Sequence, residues 1–142
     1  MIDFEPAASR TLRGVRVLVV EDEPMISLAL QDVLADLGCE VAGAAARLQP
    51  ALDLAQDLAF DIAVLDIDLG GMRIDPVALV IATRGLPVVF VTGYGPGAAP
   101  RQVPGAVLEK PYEAAHLQKA LLAALRTRPE ERSGGRRAAA RR

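Results

Sequence analysis

The stretch VRVLVVEDEP, residues 15–24, contains the pattern from which the rest of the chain can be interpreted. Its first six residues form a nearly continuous apolar run of strand length, as in the buried strands of parallel sheets. Pro24 suits the first turn of a helix, where its missing N–H would have no partner in any case. Three acids, Glu21, Asp22 and Glu23, lie at the junction. The stretch therefore predicts a strand, an acidic turn and a helix.

The same alternation of strand and helix continues along the chain. Further strands are predicted at 40–44, 62–65, 87–91 and 106–109. Helices are predicted to begin at Pro24, Pro50, Pro76 and about Tyr112, on apolar residues spaced three and four apart. The sequence therefore predicts an α/β fold, a doubly wound five-stranded parallel sheet with flanking helices.

One predicted connection lacks a helical pattern. Residues 93–104 contain three glycines and three prolines, which break regular structure. The fourth helix of this fold is therefore predicted to be short or degenerate.

Length and composition limit the possibilities further. The chain has 142 residues, a length that is enough for one domain with a single core. Its net charge is -2. Only three Phe and two Tyr are present, so the core must be aliphatic. Cys39 is the only cysteine, which excludes an internal disulfide and a multi-cysteine metal cluster, and we expect it to be a small core residue.

The two ends of the chain differ from its centre. We expect a flexible leader at 1–13, the folded domain at 14–127 and a disordered arginine-rich tail at 128–142. The first residues lack the features of a signal peptide, and no apolar run approaches the roughly 18 residues of a membrane span. We therefore expect a cytoplasmic protein without membrane association. Because the arginines are concentrated near the end, the folded part is acidic, and we expect it not to bind nucleic acid.

Polar residues follow four of the five predicted strands. Glu21 and Asp22 follow the first strand, Asp66 the third, Thr92 the fourth and Lys110 the fifth. The carboxyl ends of parallel strands share one edge of the sheet, so these side chains should meet there. Clustered carboxylates need a cation between them, and lysine and threonine suit phosphoryl oxygens. The pattern predicts a metal-assisted phosphoacceptor site.

The acidic turn has two simpler interpretations. A dinucleotide site would place a glycine-rich turn after the first strand, whereas Glu21, Asp22 and Glu23 would repel a phosphate there. The acids could instead only offset the dipole of the helix that follows. Asp66 and Lys110 favour the phosphoacceptor site, since Pro111 allows a cis peptide bond that directs the ammonium group across the sheet.

From about Arg16 to Arg126, the order and spacing of these residues resemble the receiver domains of two-component response regulators. The resemblance implies that Asp66 accepts a phosphoryl group from a phosphohistidine of a sensor histidine kinase. It also implies that Lys110 and Thr92 act with Asp66 in this transfer. An unknown downstream protein would then bind the phosphorylated chain, or the chain would serve as a phosphate sink.

The resemblance further implies a Mg²⁺ site. Its ligands would be Asp22, Asp66 and the backbone carbonyl of Asp68, with Glu21 orienting a bound water. A receiver of this kind is a phosphoacceptor signalling domain and not an enzyme with a separate substrate. We expect a monomer or a weak dimer.

One feature departs from common receivers. Val107 occupies the position, three residues before Lys110, where such domains carry a Phe or Tyr that moves on activation. The motif Phe90-Val91-Thr92-Gly93-Tyr94 resembles a stand-alone receiver subfamily that carries a Phe-Ala-Thr-Gly motif. Thr92 and Tyr94 are therefore expected to form the switch, with Tyr94 as the mobile aromatic.

Two other functions remain open. Asp66-Ile67-Asp68 is an Asp-x-Asp motif after a strand, as in haloacid-dehalogenase-like phosphatases, although those enzymes carry it on their first strand. The chain could also be a degenerate receiver that binds a partner without being phosphorylated. The complete set of acids, threonine and lysine disfavours the second alternative.

Overall fold

The computed structural model of the chain describes residues 12–95 and 98–126. Five parallel strands form one sheet: β1 (Arg16–Val20), β2 (Glu40–Ala45), β3 (Ile62–Asp66), β4 (Val88–Thr92) and β5 (Ala106–Glu109). Their spatial order is β2-β1-β3-β4-β5. The direction of winding reverses between β1 and β3, which is where doubly wound folds bind ligands. The predicted fold class is confirmed.

Four helices cover the two faces of this sheet: α1 (Pro24–Asp36), α2 (Leu48–Asp57), α3 (Asp75–Thr83) and α4 (Ala114–Arg126). Helices α1 and α4 share one apolar cluster with the sheet, and α2 and α3 share the other. Helix α2 begins two residues before the predicted start at Pro50. A proline is tolerated there because the first N–H groups of a helix have no partner within it.

The strands supply both clusters by alternation. In β1, Val17 and Val19 face α1 and α4, whereas Leu18 and Val20 face α2 and α3. Strands β3 and β4 alternate in the same way. Cys39 is buried among the residues under α1 and α4, as predicted. The three central strands β1, β3 and β4 are therefore buried on both faces of the sheet.

Two details of the packing differ from the prediction. Leu12 is fully buried in the α1 and α4 cluster, so the packed chain includes residues before the predicted boundary at 14. Ile26, whose position four residues before Leu30 predicts the same face of α1, is 37% exposed. It lies in the first turn, beyond the carboxyl end of β1, where no strand lies beneath the helix. The predicted leader up to residue 11 and the tail at 128–142 lie outside the described residues.

The connection from β4 to β5 contains no α-helix in its described residues. Val103 is buried against the α2 and α3 cluster. A Cβ atom on Gly105 would lie 2.8 Å from the carbonyl oxygen of Val88 and 3.0 Å from the Phe90 ring. The backbone of the connection therefore packs directly on the sheet at Gly105, which confirms, for the described part, the prediction that the helix between β4 and β5 is short or degenerate.

A short hairpin follows β3 and was not predicted. Asp68–Leu69 pairs with Met72–Arg73 in antiparallel fashion. Gly70 and Gly71 form the turn with φ angles of 58° and 92°, which glycine adopts without strain. None of the helices within the described residues has the length and apolar content to span a membrane.

Candidate functional site

Three carboxylates meet at the carboxyl edge of the sheet. Glu21, Asp22 and Asp66 each offer an oxygen within 4.8 Å of the others. The register of β1 with β3, in which Val20 pairs with Leu65, brings the residues that follow these two side by side. Glu21 and Asp66 are only 3% and 7% exposed. The sequence-predicted acids are therefore brought together in one pocket.

Lys110 reaches into the same pocket from the end of β5. Its Nζ lies 3.1 Å from Glu21 Oε1 and 3.2 Å from Asp66 Oδ2. The peptide bond between Lys110 and Pro111 is cis, as the sequence allows. One ammonium group faces three carboxylates, so the pocket keeps an excess of negative charge. Its oxygen donors and this charge fit a hard divalent cation.

The charges alter the proton affinities of these groups. Burial raises the pKa of Glu21 to about 7, against the hydrogen bond from Lys110, and the charge of Asp66 adds to the rise. Burial alone would lower the pKa of Lys110. The hydrogen bond to Glu21 and the nearby carboxylates outweigh that effect and raise it. The pocket therefore favours a bound cation, either a proton or a metal ion.

Asp68 lies beside this pocket and not in the carboxylate cluster. Its backbone N–H donates to Asp66 Oδ1 at 3.3 Å, and its own Oδ1 accepts from the Gly71 N–H at 3.0 Å. The Asp68 carboxylate is thus engaged in the hairpin. Its backbone carbonyl stays a predicted metal ligand. Gly70 packs close to Asp22, whose Oδ2 would lie 3.7 Å from a Cβ at this position.

Thr92 is buried at the end of β4, the strand next to β3. Because Val91 pairs with Asp66, Thr92 lies just past the acid along the sheet edge. Its Oγ1 accepts a hydrogen bond from the Tyr94 N–H at 2.9 Å, so its own proton is available to donate. The Tyr94 side chain is 77% exposed. The switch roles of Thr92 and Tyr94 stay predictions.

Val107, which occupies the position of the usual aromatic residue in β5, has an aromatic neighbour on the adjacent strand β4. Phe90 is fully buried and pairs directly with Val107, so both side chains face α2 and α3. An aromatic ring therefore lies on this face of the sheet, one strand closer to Asp66 than the position of Val107.

Two residues near the site were missed by sequence reasoning. Tyr112 is half-buried, and burial together with the charge of Glu21 raises its pKa, which indicates that it lies near the carboxylates. With Met25 and Ile26 of α1, it lines a groove of about 550 Å³. Its position directly after Lys110-Pro111 in the sequence could have indicated that Tyr112 lies near the carboxylates. Arg73, the other residue, contacts the backbone of Ala98, and no sequence pattern indicates that contact.

Comparison with known proteins agrees with this geometry. Residues 17–122 match the family described as the response regulator receiver domain. The chain is 30% identical over 131 residues to the phyllosphere-induced regulator PhyR of Methylorubrum extorquens, covering 87% of this chain and 49% of PhyR. The chain thus spans about half the length of this relative.

Two solved structures are similar over most of the chain. SdrG from Sphingomonas melonis Fr1 has 36% identity and a TM-score of 0.70, covering 79% of this chain and 97% of SdrG. The PhyR receiver domain of Erythrobacter litoralis has 29% identity and a TM-score of 0.71, covering 84% and 95% of the two chains. The chain belongs to the receiver domains of response regulators.

Proposed function

We propose that this receiver accepts a phosphoryl group on Asp66 from the phosphohistidine of a sensor histidine kinase. The phosphorylated chain then binds a downstream protein, or drains phosphoryl groups from the kinase. The observation that supports this proposal is the pocket in which Glu21, Asp22 and Lys110 surround the buried carboxylate of Asp66.

Each residue has a chemical part in the transfer. A carboxylate oxygen of Asp66 attacks phosphorus, and an O–P bond forms as the N–P bond to the donor histidine breaks. Lys110, already at Asp66 Oδ2, offsets the charge on the phosphoryl oxygens. The Thr92 hydroxyl would donate a hydrogen bond to one of those oxygens. The haloacid-dehalogenase-like alternative is disfavoured, because residues 17–122, which include Asp66, match the receiver family.

The pocket also fits Mg²⁺. Asp22, Asp66 and the Asp68 carbonyl would hold the ion, with Glu21 contacting it through water. When bound, the ion neutralises the carboxylates and the incoming phosphoryl oxygens, which would otherwise repel each other. Burial is the main cause of the raised pKa of Glu21, and the charge of Asp66 adds to it; a cation beside these carboxylates would offset that repulsion.

Binding of a partner is supported by the surface near the site. Met25 and Tyr94, which follow β1 and β4, are both large apolar side chains with most of their area exposed. Such residues next to a phosphorylation site suit a protein that contacts the loops and the phosphoryl group together. Phosphorylation adds up to about two negative charges beside Thr92 and Lys110, which changes what that surface attracts.

The test is labelling with acetyl phosphate or a phosphorylated kinase in Mg²⁺. Wild type should acquire a hydroxylamine-sensitive label, and Asp66→Asn should acquire none. Asp53→Asn, which removes one exposed acid from α2, is the matched control and should be labelled like wild type. An unlabelled wild type would instead support the degenerate adaptor, and a labelled Asp66→Asn would show a different acceptor.

A further inference from the structure

One side chain joins the two loops that border the site. Arg73 ends the hairpin after β3, and its Nε donates to Asp75 Oδ1 at 3.0 Å. Its Nη2 donates to the carbonyl oxygen of Ala98 at 2.8 Å. Ala98 belongs to the connection after β4, 25 residues further along the chain. A single guanidinium group therefore fastens that connection to the start of α3.

The two segments that Arg73 joins are each connected to a residue of the candidate site, Asp66 or Thr92. On one side, the Asp68 N–H binds Asp66 Oδ1 and the Gly71 N–H binds Asp68 Oδ1, so the hairpin is tied to the phosphoacceptor. On the other side, the Tyr94 N–H binds the Thr92 hydroxyl. A displacement of Thr92 toward Asp66 would therefore pull on the chain that leads to Ala98.

We propose that Arg73 is a positioning residue: it holds Ala98, which lies in the same connection as Thr92, against the start of α3 and so opposes the movement of Thr92 toward phosphorylated Asp66. This role rests on the proposed function. It makes Arg73 a restraint on activation that does not touch the phosphoryl group.

Arginine suits this task because its planar group offers donors along two edges. Asp75 holds one edge at the start of α3, a helix fixed by its buried residues Val77, Ala78 and Ile81. The Nη2 of the same guanidinium group is then directed at the Ala98 carbonyl. The Arg73 side chain is half exposed, so the restraint is modest, in the range of other exposed ionic contacts.

The matched control is Arg101, an exposed arginine in the same connection. Within the described part of the chain it makes no hydrogen bond or ion pair. Arg101→Ala therefore removes one arginine charge from the connection that contains Ala98, without removing a described contact. Both variants change exposed side chains, and their melting temperatures should match that of wild type.

The experiment uses Mg²⁺ with beryllofluoride, a non-covalent phosphoryl mimic, and follows backbone amides by NMR. Without the mimic, the Ala98 amide, which donates to Gly95, should exchange about two- to fivefold faster in Arg73→Ala only. With the mimic, Arg73→Ala should bind about two- to fivefold more tightly than wild type and Arg101→Ala.

The two proposals fail in different ways. Equal mimic affinity in wild type and Arg73→Ala, or unchanged exchange at Ala98, would overturn the role of Arg73 and leave the phosphoacceptor function standing. A wild type that does not bind the mimic would overturn the proposed function, and the role of Arg73 with it.

Discussion

The connections after β1 and after β4 both present candidate site residues at the carboxyl edge, yet the two connections are built in opposite ways. After β1, the acids Glu21 and Asp22 lead into the 13-residue helix α1, which is anchored by the buried Leu30 and Leu34. After β4, Thr92 leads into a connection whose described residues contain no α-helix.

This difference separates a rigid part of the site from one that can move. Each buried leucine contributes about 1.5–3 kcal/mol, so displacing α1 would lose several such contacts. The described part of the β4 connection buries little beyond Pro100 and Val103. Segments with few buried apolar groups open at low free energy. The acids should therefore stay in place on phosphorylation, while the chain after Thr92 rearranges.

The strongest prediction concerns the acidic cluster after β1. Asp22→Ala should lower Mg²⁺ affinity at least tenfold, because it removes one of three clustered carboxylates, and phosphorylation should fall with it. Isothermal titration with Mg²⁺ and labelling at matched concentrations measure the two effects. Glu23→Ala removes the exposed neighbouring acid and should change little. Equal losses in both variants would indicate a general charge effect and not a ligand at Asp22.

The pH dependence of stability tests the electrostatics of the same acidic cluster. The pKa of Glu21 is raised from 4.5 to about 7, so the folded state holds this proton more tightly than the unfolded state. The resulting stabilisation is fully present below pH 4.5 and is lost as the pH rises through 7. In urea unfolding without metal, the free energy of unfolding of wild type should therefore fall by roughly 2–3 kcal/mol relative to that of Glu21→Gln between pH 5 and pH 8.

The control for this measurement is the adjacent Glu23→Gln, whose stability should follow the wild-type pH profile. Saturating Mg²⁺ should reduce the pH-dependent loss in wild type, because a bound cation favours ionised Glu21. Parallel profiles for wild type and Glu21→Gln would show that Glu21 ionises without penalty in the folded chain.

The same contrast explains what the sequence could predict. The strands and α1 follow from apolar runs, three- and four-residue spacing and Pro24, and all five strands lie where the sequence placed them, with ends shifted by no more than a residue. The acids and Lys110 could be placed together because strand ends share one edge of a parallel sheet.

The remaining features arise from contacts that have no local pattern. The hairpin of Asp68–Leu69 with Met72–Arg73 is too short to show strand periodicity, and its only signal is the Gly70-Gly71 pair. The bond from Arg73 to Ala98 joins residues distant in sequence. Leu12 is buried because it packs in the apolar cluster formed by α1, α4 and the sheet, and the residues around Leu12 in the sequence show no pattern that predicts this contact.

The last prediction concerns Gly105, at the end of the connection that follows β4. A methyl group on Gly105 would lie 2.8 Å from the Val88 carbonyl oxygen, which belongs to the sheet and cannot move aside. Gly105→Ala should therefore lower the free energy of unfolding in urea by about 1–2 kcal/mol. Gly93→Ala is the matched control, because a Cβ there meets no described atom within 4 Å.

Gly93→Ala should leave stability within about 0.5 kcal/mol of wild type, since residues without close neighbours tolerate a methyl group. Equal stability of the two variants would show that the connection can lift away from the sheet at Gly105. A loss confined to Gly105→Ala would locate the fixed end of the connection. Movement that starts at Thr92 would then be confined to the residues before Gly105, because the backbone contact with Val88 and Phe90 replaces the missing helix as an anchor.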